Sequence, residues 1–138
     1  MRQMVWIVIA GFWALSCTQS VQAKGLEIPA AQICRSSNSS FVGPCFTLHA
    51  RLEQGADNIE VWIWPVGTHR FLGYLGYADL NRGDDVCDLP PMLVSPLKAG
   101  KTIFADVTVR PISRKQRGHM QFVCIAAAKH LVVLDRRP

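Results

Sequence analysis

The chain has no cysteine pair spaced C-x-x-C and no histidine pair at finger spacing. That excludes the common zinc fingers and ribbons, whose ligands come in such short-range pairs. No serine stands in a nucleophile elbow. His49, His69, His119 and His130 are scattered rather than clustered. Catalytic and metal-binding roles therefore have no motif to rest on, no cofactor is expected, and a small hydrolase is the least favoured class. No segment repeats at a fixed period, which argues against a solenoid or propeller. With 138 residues, the chain is too short for two ordinary domains. It also lacks an apolar run of the roughly 20 residues that a spanning helix needs.

A shorter apolar run does open the chain. Arg2 supplies a positive start, "MVWIVIAGFWAL" an apolar stretch, and "VQA" the small or β-branched residues of a cleavage site. Residues 1–23 thus read as a secretory signal peptide, with Lys24 opening the mature protein in the periplasm or outside the cell. Two alternatives tie the domain to a membrane. One is lipid on Cys17 of "ALSC", although Ala14 stands where a lipobox usually has Leu. The other is an uncleaved N-terminal helix.

The mature chain has little excess charge. Of fifteen Lys and Arg, one (Arg2) falls in the leader, leaving fourteen against ten Asp and Glu, a formal charge of +4. That is far from the balance of a dedicated nucleic-acid protein. Beyond Cys17, four cysteines remain: Cys34, Cys45, Cys87 and Cys124. An even number in a small exported domain reads as two disulfides. The expected pairing is Cys45 with Cys124 and Cys34 with Cys87, because the first and last strands become neighbours if the sheet closes.

Strands dominate the pattern that follows. Residues 24–44 are rich in Ser, Gly and Pro and read as an arm. In "CFTLHARLEQ", Phe46, Leu48, Ala50 and Leu52 alternate with Thr47, His49 and Arg51, as on a half-buried strand. "GADN" is a turn, "IEVWIWPV" a second strand and "GTHRFLGYLGY" a third. Residues 78–100 read as irregular: Pro91 could open a short helix, but Pro96 should stop it. "TIFADVTVR" is a fourth strand, with Ile103, Ala105, Val107 and Val109 on one face. "PISRKQRG" is a basic loop, and "HMQFVCIAAAKHLVVLD" a long fifth strand with a bulge expected near its alanines. Within the irregular segment, Asp79, Asn81 and Asp84 are out of order for a calcium loop, and Pro90 stands where its bidentate Glu belongs. Arg82-Gly83-Asp84 spells an adhesion tripeptide, a three-residue match that carries no weight alone.

Five strands with a longer interruption after the third give the order of an OB-fold, a small Greek-key barrel. The expected fold is therefore all-β: a five-stranded, disulfide-stapled barrel over residues 45–138 behind an N-terminal arm. The stretches "PCFTLHARL", "IWPVGTHRFLG", "FADVTVRP" and "CIAAAKHLVV" resemble OB-like small exported bacterial proteins of uncharacterised function. The resemblance covers roughly residues 45–135 and implies no catalytic residue. The weak helix signal between the third and fourth strands departs from the usual OB pattern and leaves a generic barrel or sandwich open.

Parity then selects candidate residues. Glu60 would be costly inside a small barrel without a partner. The second strand should therefore bury Val61 and Ile63 and turn Trp62 and Trp64 outward. In the third, Arg70 is taken to mark the outer parity, which sends Leu72 and Tyr74 out and His69, Phe71, Gly73 and Leu75 in. The expected ligand-binding set is Trp62, Trp64, Arg70 and Tyr74 with Arg114, Lys115 and Arg117 of the basic loop, which also carries Arg110 and His119 nearby. Such a face suits an anionic polymer, a glycan or an envelope protein, and single-stranded nucleic acid by stacking and phosphate contacts. The competing readings are that the 24–44 arm covers the rings, and that the protein is a structural component of the envelope.

Overall fold

A computed structural model describes residues 29–56, 60–74 and 87–137. The leader with Cys17, and the Asp79 to Asp84 segment with its two motifs, lie outside the described residues. Five strands close into a barrel: β1 (Phe46–Gln54), β2 (Val61–Pro65), β3 (Leu72–Tyr74), β4 (Thr102–Pro111) and β5 (Gln121–Leu134). Their order around the barrel is β1-β2-β3-β5-β4, with β4 returning to β1. All pairs are antiparallel except β3 with β5. This is the OB-like Greek-key barrel that the strand spacing predicts.

Alternation explains three of the five strands directly. Ala50 and Leu52 of β1, Val61 and Ile63 of β2, and Ile103, Ala105, Val107 and Val109 of β4 are all buried. Thr47, His49, Trp62, Trp64 and Asp106 take the other parity and face outward. Phe46 departs from the expected inner row, because it opens β1 at the barrel's rim and is 40% exposed. Strand β5 is irregular where the alanines lie. Its register against β4 shifts between Thr108 and Val109, and again between Phe104 and Asp106. At the second shift His130 has a φ of +54°, a conformation uncommon outside Gly, Asn, Asp and His.

The β2–β3 turn is set by Gly67. Its φ of +79° suits the third position of a turn in which the Thr68 N–H donates to the Pro65 carbonyl at 3.2 Å.

The third strand overturns its expected parity. Leu72 pairs with Ile63 and Tyr74 with Val61, so both point inward, and they are 1% and 3% exposed. Phe71 lies outside and is 46% exposed. The error came from Arg70. It precedes the strand, which begins only at Leu72, so its polarity says nothing about strand parity.

A helix also forms where the prolines argue against one. α1 spans Pro91–Lys98 and contains Pro96. Pro91 sits in the first turn, where its missing N–H is no loss. Pro96 forfeits one intrahelical bond. Against that, Leu93 and Leu97, one turn apart, are buried in the core. A Schellman turn closes the end: Gly100 N–H donates to Leu97 O and Lys101 N–H to Pro96 O, each at 3.0 Å, with Gly100 at φ +72°. Among the described residues no helix is long and apolar enough to cross a membrane.

The disulfides join Cys34 to Cys45 and Cys87 to Cys124, with Cα separations of 5.7 and 5.8 Å. The expected pairing is wrong because barrel closure places β4 between β1 and β5. Cys45 and Cys124 are therefore never neighbours. The first bridge instead pins the arm to the start of β1. The second pins the segment entering α1 to β5 at Cys124, a buried position that pairs with Arg110. Two such bridges are the mark of an oxidising environment.

Arg110 organises the arm as well. Its guanidinium donates to the carbonyls of Gly43 (3.0 Å), Ile33 (2.8 Å) and Ser36 (2.6 Å), and lies over the Phe41 ring at 4.2 Å. Ile33, in a short 3-10 turn (Ala30–Arg35), is fully buried. Arg110 is thus a structural cation rather than part of an exposed basic loop.

Candidate ligand-binding face

The outer side of β2 carries an aromatic cluster. Trp62 and Trp64 are two residues apart on one strand face, and Phe71 joins them from the lead-in to β3. Ring centroids are separated by 5.4 Å (Trp62–Trp64), 5.6 Å (Trp64–Phe71) and 6.3 Å (Trp62–Phe71). The first two contacts are edge-to-face, the arrangement that the ring quadrupoles favour. The Trp62 Nε1 is covered and has no hydrogen-bond partner among the described residues, a desolvation cost of about 1–3 kcal/mol.

Cations border the rings on two sides. On β1, Arg51 pairs in register with Trp64, and its guanidinium lies 4.4 Å from that ring's centroid. Glu53 neutralises this side: its carboxylate lies 3.6 Å from Arg51 Nε and 3.4 Å from Arg136, and accepts a hydrogen bond from Thr102 Oγ1 at 3.0 Å. On the β3 side, Gly73 pairs with Trp62 and with Phe122 of β5. A Cβ at Gly73 would come within 2.7 Å of Met120 Sδ and 3.0 Å of the Phe122 ring. The missing side chain is what lets Met120 and Phe122 fold over β3 beside the tryptophans.

That contact brings the basic loop to the face, since Met120 ends the loop that carries Arg114, Lys115 and Arg117. All three are exposed, and no carboxylate pairs with them among the described residues. Arg70 turns from the rings toward Gln121, donating to its Oε1 at 3.0 Å. Gln121 in turn donates to the Ser113 carbonyl at 3.2 Å, next to Arg114. Of the expected set, Trp62 and Trp64 lie together, Arg70 is tied through Gln121 to the loop that carries Arg114, Lys115 and Arg117, and Tyr74 falls outside the face. Tyr74 points into the barrel, where its hydroxyl donates to the Cys87 carbonyl. Sequence reasoning missed Arg51, Phe71, Met120 and Phe122. Only Phe71 carried a signal, as an aromatic next to the turn, and it was assigned to the wrong side.

A second polar cluster lies on the outer side of β1, β4 and β5. Asp106 accepts hydrogen bonds from His49 Nδ1 and His130 Nδ1, both at 2.8 Å, one on each carboxylate oxygen. An ionised carboxylate only accepts, so each imidazole donates from Nδ1. These bonds, His130 first, hold the Asp106 carboxyl below the ordinary aspartate range. His49 faces outward as expected, but it is engaged in a link across three strands. No three His, Cys, Asp or Glu side chains among the described residues are grouped to hold a metal ion.

No protein-family model matches the chain, and no curated protein or solved structure matches it significantly.

Proposed function

We propose that this protein is an exported, non-catalytic binding module whose outer β2–β3 face holds an anionic oligosaccharide. One observation carries the reading: a cluster of three outward aromatic rings, two half-buried and one exposed, adjoins a loop of exposed cations that lack carboxylate partners among the described residues. Outer strands two and three, with the loop between strands four and five, form the surface that OB-folds use for oligosaccharides and oligonucleotides. Aromatic rings pack against the C–H faces of sugar rings, while arginines grip carboxylate or sulfate groups in pairs of hydrogen bonds. Two disulfides and the signal-like stretch at residues 1–23 support release into the periplasm or the medium.

Titration with oligogalacturonate tests this reading. Binding should weaken as salt rises, because exposed charge pairs are screened. Trp62→Ala should weaken it about tenfold, as should Arg114→Glu combined with Lys115→Glu and Arg117→Glu, with the melting temperature held. Binding that ignores these substitutions refutes the proposal. Binding of oligothymidylate in place of the glycan would move the same face to single-stranded nucleic acid. Failure with both polymers would favour a structural role in the envelope.

A further inference from the structure

The α1 end of the barrel holds a cleft of about 580 Å³, a volume within the range of small-molecule sites. Its floor is Val61, Tyr74 and Leu97, all buried. Val61 is the β2 neighbour of Trp62 and points to the opposite side of the strand. The cleft and the aromatic face are therefore separate sites. With its hydroxyl committed to the Cys87 carbonyl, Tyr74 offers the cleft ring carbon rather than a donor. Leu89 and Val94 add apolar wall. Charge is confined to a few lining groups, chiefly Glu60 and Lys98, with Asp88 nearby.

Those charges are arranged for use. Glu60 and Lys98 both line the cleft, yet no direct ion pair joins them. Desolvation by burial pushes the Glu60 carboxyl above its usual range, and the Lys98 charge opposes that shift. Among the described residues neither Glu60 nor Lys98 has an ion-pair partner, and only the longer-range attraction between them offsets either charge. An ammonium fits Glu60 and Asp88, and an anion fits Lys98. A ligand that satisfies both while filling an apolar floor must carry the two charges on one head and a hydrocarbon body behind it.

The geometry points to a binding site for a single-chain zwitterionic amphiphile, its alkyl chain between α1 and the inner face of β2 and its head between Glu60 and Lys98. An alkyl chain gains from every methylene removed from water, and Val61, Leu97 and Val94 provide the surface that removes it. Neither a plain alkylamine nor an alkyl phosphate would satisfy both rim charges.

The test uses alkylphosphoethanolamines of increasing chain length, below micelle formation, titrated into the mature protein by calorimetry. Affinity should tighten about fourfold per added methylene until the cleft is full. Glu60→Gln and Lys98→Met, both at exposed positions, should each weaken binding about tenfold. The matching alkylamine and alkyl phosphate should bind the wild type more weakly than the zwitterion. Val94→Trp should block the cleft, and Ala31→Trp at an exposed rim position gives a second block should the first variant fold poorly. Trp62→Ala, which should weaken glycan binding, should leave this titration unchanged, so the two sites fail independently. No binding to the wild type, affinity indifferent to chain length, or binding that survives both blocking variants would overturn the inference.

Discussion

The Arg51 guanidinium lies over the indole of Trp64, 4.4 Å from its centroid, across the β1–β2 register that makes them partners. One face of that ring is therefore occupied by a cation before any ligand arrives. At a partly exposed site this contact is worth about 0.5–1 kcal/mol. Arg51→Ala should lower stability by about that amount and make tryptophan emission easier to quench with acrylamide. Unchanged quenching would mean that Arg51 does not shield Trp64 in solution.

The two faces of β2 should answer differently to truncation. Ile63 is fully buried and its partner Leu72 faces it across the β2–β3 ladder. Ile63→Ala should cost about 2–5 kcal/mol, read by denaturant unfolding. Trp62→Ala removes an outward ring and should cost less. A larger loss at Trp62 than at Ile63 would show that the aromatic cluster is a second core rather than a surface.

Peptide mapping without reduction should recover Cys34 joined to Cys45 and Cys87 joined to Cys124. The sequence separations are 11 and 37. By chain entropy the longer loop stabilises more, about 4 kcal/mol against about 3. Replacing Cys87 and Cys124 by Ser should thus lower the melting temperature more than replacing Cys34 and Cys45. A Cys45–Cys124 peptide would contradict the strand order itself.

Asp106 links β1, β4 and β5 through His49 and His130. Its folded pKa lies below the unfolded reference of 3.8. A depressed carboxyl pKa stabilises the fold fully above the unfolded value, and that stabilisation is lost as pH falls through the folded one. Asp106→Asn should therefore melt below the wild type near neutral pH, and the two curves should converge once the pH falls below the depressed pKa of Asp106. A gap that persists in acid would assign the effect to packing rather than to the charge.

How much of this was legible in the sequence can be judged strand by strand. The inner rows of β2 and β4 followed from alternation alone, because side-chain direction along a strand depends only on parity. Glu60, like Arg70, precedes its strand and could not fix the phase; β2 came out right because its aliphatic pair, Val61 and Ile63, is the row that is buried. β3 was misjudged because only three residues pair, and a strand that short has no pattern from which to fix its phase. α1 was missed because local propensity penalises Pro96, whereas burial of Leu93 and Leu97 is a tertiary gain.

The sequence by itself determined four paired cysteines, five strands and outward tryptophans, all properties of composition or of short-range periodicity. The tertiary structure alone decided which cysteines meet, that Tyr74 turns inward while Phe71 turns out, that Arg110 clamps the arm, and that a cleft lies beside α1. These depend on which strands become neighbours when the barrel closes, as when β4 intervenes between β1 and β5. Contacts between residues dozens of positions apart leave no periodic trace in the chain that makes them.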